Sequence, residues 1–190
     1  MRMLRLSLVL AVFVGCAGTP ARITPGVSDL TGKTYVNRTY DLQLEFAELA
    51  GWHLFREARE IAECGMQGAI LCAVNSSRLL TLFVTVEDGG IEMSNEDYQT
   101  LLESLLRDQY GDKVSTLSLG AAPTNGNEIL VWTYLLDGDT VTQAFLRRGT
   151  QNFRVVVVVP ERAYERRKTE IQRVVQSADI RPLGPQAAVR

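Results

Sequence analysis

Apolar and polar positions along the chain separate into two periods, and these predict the elements. Leu42, Leu44 and Phe46 alternate with Asp41, Gln43 and Glu45, a period of two that predicts a strand with one wet face. Gly51 to Phe55 starts a second strand. Residues 56–69 are charged and carry two glycines, which predicts a loop with one helical turn. Ile70 to Val74 and Leu79 to Val86 follow as strands. The latter is apolar on both faces, as a central strand requires.

From Ser94 the period changes. Tyr98, Leu101, Leu102, Leu105 and Leu106 recur at helical spacing and predict one apolar face. Ser94 with Asp97 three residues on forms a capping box, and Gly111 ends the helix. Ile129 to Leu136, Val141 to Leu146 and Phe153 to Val159 are three further strands. Asp137-Gly138-Asp139 is a hairpin signal between the first two, and residues 148–152 turn between the last two. Pro160 stops the last strand and suits the first position of a helix running to about Ser177. Tyr164, Ile171, Val174, Val175 and Ala178 make its buried stripe. Glu165/Lys168 and Glu170/Arg173 are spaced to pair on its solvated side. A strand meander with two amphipathic helices predicts an α+β fold, the helices covering opposite faces of the sheet.

The first sixteen residues follow a different logic. Arg2 and Arg5 precede Leu6 to Val14, a run apolar except for Ser7. It is far short of the ~20 residues of a spanning helix and has the order of an export signal. Phe13-Val14-Gly15-Cys16 resembles a bacterial lipobox, with Phe13 in place of the usual leucine. That resemblance implies cleavage before Cys16 and diacylglycerol on its thiol. Each buried methylene of such a lipid contributes ~0.8 kcal/mol, so two or three chains hold a soluble domain on a membrane. By resemblance to enterobacterial lipoproteins, Ala17 rather than Asp after the cysteine implies the outer membrane, facing the periplasm. Residues 17–33, rich in Gly, Pro, Ser and Thr, read as a tether. The expected organisation is therefore signal peptide 1–15, lipidated Cys16 and tether to 33, one domain over 34–181, and a tail over 182–190.

Charge narrows the function. The whole chain has a net charge of −2; without residues 1–15 it loses two arginines and stands at −4. A mildly acidic chain with no basic block is a poor nucleic-acid ligand. Setting Cys16 aside leaves the pair Cys64 and Cys72, which in an oxidising compartment points to a disulfide; two buried thiols or a metal site are the alternatives. Zinc wants four ligands, and the chain offers these two thiols and His53, its one histidine. His53 lacks any nucleophile-elbow pattern elsewhere in the chain. Glu87-Asp88 and Asp137/Asp139 hold carboxylates of the kind calcium uses, but Asp-Gly-Asp serves a turn equally well. The glycines at 89, 90 and 120 match no phosphate loop. Asn37-Arg38-Thr39 and Asn75-Ser76-Ser77 fit glycosylation sequons, which a bacterial lipobox makes irrelevant. No catalytic, cofactor or metal site is expected.

The stretch from Tyr35-Val36-Asn37-Arg38-Thr39-Tyr40 through the alternating strand to Gly51-Trp52 resembles the opening of the Mog1/PsbP-like domains. The later order is similar too, with a Ser-capped helix, a strand meander and a last helix ending at a serine such as Ser177. The similarity spans about residues 34–181; Ala47 to Ala50 departs from it, and residues 56–72 have no counterpart in it. It implies an α/β/α sandwich with a central antiparallel sheet and a role in binding other proteins, since members serve as extrinsic photosystem subunits, nuclear-transport cofactors and envelope lipoproteins. Fold alone does not choose among these. The expected function is that of a non-enzymatic, membrane-anchored envelope lipoprotein that binds a protein partner; the alternative is a small-molecule or lipid-binding envelope module. An exposed apolar patch would favour the first, and a concave pocket with convergent polar groups the second.

Overall fold

The strands that are apolar on both faces sit where such strands must, in the middle of a sheet covered on both sides. A computed structural model describes residues 28–64, 68–88, 93–122 and 129–180. Its larger sheet has seven strands in the order β4-β5-β6-β10-β9-β8-β7, every neighbouring pair antiparallel. These are β4 (Trp52–Phe55), β5 (Ala69–Asn75), β6 (Leu80–Asp88), β7 (Val114–Ala122), β8 (Ile129–Leu136), β9 (Asp139–Arg148) and β10 (Gln151–Pro160). In β10, Phe153, Val155, Val157 and Val159 enter one hydrophobic cluster, while Val156 and Val158 enter a second on the other face.

Two helices close the two faces. Helix α2 (Asn95–Tyr110) packs Leu102 and Leu106 onto the cluster built on Trp132, Tyr134 and Phe145. Helix α3 (Glu161–Gln176) packs Ile171, Val174 and Val175 onto the opposite cluster. The expected α+β architecture, an α/β/α sandwich around an antiparallel sheet, is the one observed. Ser94 caps α2 by accepting the Asp97 N–H (3.0 Å), and Gly111, at φ 56°, ends it. Pro160 is the cap residue of α3 rather than its first helical residue, and its backbone still pairs with Asp139 in the β10–β9 ladder.

A second sheet, β1 (Ser28–Thr31), β2 (Thr34–Asn37) and β3 (Leu42–Glu45), lies on the α3 side, where Tyr35, Leu42 and Leu44 are fully buried. It is tied to the segment that follows α3 by reciprocal backbone bonds between Gln43 and Asp179 (2.7 and 3.0 Å). Ser177 Oγ also accepts the Glu45 N–H (2.9 Å).

Three expectations need correction. The tether does not run to residue 33: Ser28–Thr31 is a strand, joined to β2 through Gly32 at φ 58°. It escaped notice because it lies at a sheet edge with mostly exposed side chains, held by its backbone ladder and the Arg38–Asp29 ion pair (3.0 Å). The helical turn expected within residues 56–69 is present as a six-residue helix, α1 (Ala58–Glu63), anchored by buried Ile61. On α2 only part of the apolar face is covered, for Leu101 and Leu105 are exposed. On α3, Glu170 meets Arg78 (2.6 Å) and Arg167 (4.0 Å) in place of Arg173, because the β5–β6 turn brings Arg78 alongside. The signal peptide, Cys16 and residues 181–190 lie outside the described residues.

Candidate interaction surface

Nine residues absent from the sequence-based element plan form the strand that ends the large sheet. β7 pairs with β8 on one side and, among the described strands, with nothing on the other. Only Val114 is buried; Ser115 to Ala121 are exposed. The strand is fixed from beneath. Trp132 Nε1 donates to Thr116 Oγ1 (3.1 Å), and Val114 sits opposite Leu136 in the α2-side cluster. The register shifts between Thr116 and Ser118, leaving Leu117 at a bulge. Leu117 and Leu119 each expose 49% of their surface, and Leu119 lies opposite Trp132, on the face that α2 covers.

Edge strands usually carry charge or proline to discourage pairing with other chains. β7 has neither along its length, and no charged side chain occurs from Val114 to Asn127. A bulge is its one protective feature. Among the described residues the outer side of this ladder has no strand paired to it; it is long for an edge and bears two leucines. Leu101 and Leu105 add exposed apolar surface on α2, on the same flank as Tyr98.

Beneath α2 lies a polar cluster inside the core. Arg154 is 1% exposed on β10 and bonds Glu87 Oε1 on β6 (2.5 Å). Tyr98 Oη donates to the other oxygen of Glu87, and the Arg154 guanidinium stands 5.7 Å from the Tyr98 ring centroid. Gln143 Nε2 donates to Tyr134 Oη (2.6 Å); burial pushes the Tyr134 phenol well above its ordinary range, with the Gln143 bond and the Arg154 charge opposing that shift. Thr85 Oγ1 and Gln143 Oε1 have no partner among the described residues. A buried guanidinium never acts as a base, and a phenol held protonated does not either. The cluster is chemically suited to pinning α2 across β6 and β10: leaving Arg154 without its carboxylate would be costly.

The sequence-predicted residues fall in separate places. Cys64, at the end of α1, is bridged to Cys72 on β5, with their Cα atoms 6.6 Å apart. His53 is exposed on the other edge strand, its ring centroid 4.4 Å from that of Phe55. Asp137 and Gly138, at φ 49° and 88°, make the β8–β9 turn, and Asp137 pairs with Lys113 (3.3 Å). Glu87 is engaged by Arg154 and Tyr98. Both sequon asparagines are fully buried turn staples. Asn37 Nδ2 donates to Tyr35 Oη (3.1 Å), while Asn37 Oδ1 accepts the Thr39 N–H (3.1 Å). Asn75 Oδ1 accepts Ser77 Oγ (2.9 Å) and the Arg78 N–H (3.2 Å). Gly51, at φ 81°, lies so close to Asn75 that a Cβ there would stand 3.1 Å from Asn75 Oδ1. The Asn37 and Gly51-Trp52 features that carry the family resemblance are thus packing devices, not a ligand site. The edge β7 went unforeseen; its one trace in the sequence is the long charge-free stretch.

No protein-family profile matches the sequence, and no curated protein matches it. Solved structures do. The solution structure of cyanobacterial PsbP (CyanoP) from Synechocystis sp. PCC 6803 superposes with a TM-score of 0.59 at 12% identity, over 88% of this chain and 100% of that one. A crystal structure from Bacteroides thetaiotaomicron gives 0.48 at 13% identity, over 82% of this chain and 51% of the other. A protein of unknown function from Pseudomonas aeruginosa gives 0.49 at 9% identity, over 83% and 98%. The fold is PsbP-like.

Proposed function

We propose that this chain is a non-enzymatic lipoprotein of the bacterial envelope, held on a membrane by lipid on Cys16, whose PsbP-like domain binds a protein partner. The observation that carries the docking part is β7, an uncharged open edge with Leu117 and Leu119 about half exposed. An edge of this kind presents unpaired backbone donors and acceptors along its whole length, and adding a strand satisfies them. Alternate side chains of the strand then provide selectivity. A small soluble domain gains nothing in stability from leaving such an edge bare, and it risks aggregation by doing so.

The anchoring part rests on Arg2, Arg5, the apolar run and Cys16. No helix among the described residues is long and apolar enough to cross a membrane. Lipid on Cys16 would supply attachment to the bilayer, and the residues between Cys16 and Ser28 would set how far the domain stands from it.

The test is membrane fractionation with capture. Wild type and Cys16→Ser are expressed in a bacterium, cross-linked and purified. The wild type is expected in the membrane fraction with a discrete cross-linked protein. Cys16→Ser is expected to be released. Persistence of Cys16→Ser in the membrane fraction would remove the anchor from the reading. Capture unchanged by Leu117→Lys and Leu119→Lys would remove the edge.

A further inference from the structure

We infer that the outward face of α3 is a bilayer-contact surface, on which Arg162, Arg166 and Arg173 meet anionic phospholipid headgroups and set which way the domain faces. This rests on the lipid anchor of the proposed function, and supplies the orientation that an anchor alone leaves open.

The surface follows from helical spacing. Arg162, Arg166, Thr169 and Arg173 recur at intervals of four, three and four residues, so they share one line along the helix, about 16 Å long. All four are exposed, and the line runs opposite the stripe of Tyr164, Ile171, Val174 and Val175 that packs on the sheet. Among the described residues, none of the three arginines is in an ion pair. Glu170, the carboxylate spaced to pair with Arg173, is held by Arg78 (2.6 Å). Helix α3 carries five basic residues against three acidic ones, in a chain whose net charge is −2. Its charge thus runs against that of the rest of the molecule, and suits an anionic surface.

Three observations favour a bilayer over an acidic protein as that surface. Every exposed position of α3 bears a charge, an amide or a hydroxyl. A protein interface is built around apolar or aromatic anchors, and this face has none, whereas guanidinium groups suit phosphate oxygens well. The second observation is the point of attachment. Ser28 lies in the small sheet on the α3 side, and that sheet bonds through Gln43 to Asp179, just past α3. The chain from Cys16 therefore enters the domain in the layer that holds α3. The third is the placing of the exposed leucines. Leu101 and Leu105 lie on α2, and Leu119 is on the α2 side of the sheet, so an α3-down domain keeps them clear of the bilayer. One basic side chain at an anionic membrane favours contact about five-fold; with Glu161 and Glu165 beside the stripe opposing it, the orientation should be biased on the order of ten-fold.

The experiment uses the chain extracted from membranes of an expressing bacterium and reconstituted on vesicles. One set holds phosphatidylglycerol and phosphatidylcholine in equal parts, the other phosphatidylcholine alone. A fluorophore is placed on Thr169→Cys in the stripe, or on Thr100→Cys, exposed on α2, and is quenched by headgroup spin-labelled lipid. Lipid on Cys16 should hold the protein on both vesicle types. With phosphatidylglycerol, quenching at position 169 is expected to exceed that at position 100 by at least about five-fold. The difference should vanish on phosphatidylcholine, and at ~1 M salt, where screening acts within about 3 Å. It should also vanish in Arg162→Gln/Arg166→Gln/Arg173→Gln, with retention on the vesicles and the circular dichroism spectrum unchanged. In the bacterium, a photo-reactive residue at Thr169 is expected to capture phospholipid. Equal quenching at both positions in retained protein overturns the oriented face and leaves the anchor standing. A difference that survives loss of the three arginines, or a discrete protein adduct at Thr169, also overturns it. Protein retained on neither vesicle type removes the anchor and the oriented face together.

Discussion

Reducing the Cys64–Cys72 bridge should lower the stability of the domain by an amount that follows from its place in the chain. The bridged residues are eight apart in sequence, and chain entropy for so short a loop gives about 2.5 kcal/mol at 25 °C. In the folded state little else should change. Cys72 is fully buried on β5, where a thiol packs as a small apolar group, and α1 keeps Ile61 in the core. A domain of this size shifts its Tm by about 2–4 °C per kcal/mol, so the fall should be about 5–10 °C. The assay is urea and thermal unfolding of oxidised protein against protein reduced while unfolded and refolded with the reductant present. Far-ultraviolet circular dichroism of the two native states should superimpose. An unchanged midpoint would refute the loop-entropy reasoning. Labelling of Cys64 and Cys72 in unfolded, unreduced protein would refute the bridge itself.

Three further perturbations probe the packing. Ser94→Ala removes the N-cap of α2 and should cost about 1 kcal/mol, read as a lower urea midpoint; no change would mean that the cap bond to Asp97 is worth nothing. Ser177→Ala cuts the link between α3 and Glu45 and should cost about 1 kcal/mol, with faster amide exchange in β3. For Tyr134 the buried phenol holds its proton more tightly than in the unfolded chain, so its contribution is fully present below pH ~10 and is lost as pH rises above that. Wild type should lose stability above pH ~10 more steeply than Tyr134→Phe; identical alkaline limbs would contradict the burial of the phenol.

The interior was far more legible in the sequence than the edges. β6 and β10 announce themselves through residues that are apolar on both faces, and only the middle of a covered sheet satisfies both sides. The stripe on α3 was readable for the same reason: Tyr164, Ile171, Val174 and Val175 are all buried, as is Ala178 just past the end of the helix. On α2 the apolar spacing was correct but overestimated burial, since periodicity does not say how wide a strip the sheet can cover; Leu101 and Leu105 fall on its margin. β1 and β7 left no period because a strand held by one backbone ladder needs no alternation of its own. Arg154 was equally invisible. A lone arginine within a valine-rich strand resembles a solvated position until Glu87 and Tyr98 are brought to it from β6 and α2. The cysteine pair was legible by count, because setting Cys16 aside left two thiols eight residues apart.

The most direct test of the proposed function is recovery of cross-linked protein from native membranes, comparing wild type, Cys16→Ser and Leu117→Lys/Leu119→Lys. The reading of a lipid-held domain that docks protein through β7 predicts a membrane-bound wild type with a discrete adduct. It predicts a released Cys16→Ser form, and a membrane-bound edge variant that has lost the adduct. A Cys16→Ser form still on the membrane, or an edge variant with its adduct intact, would contradict it.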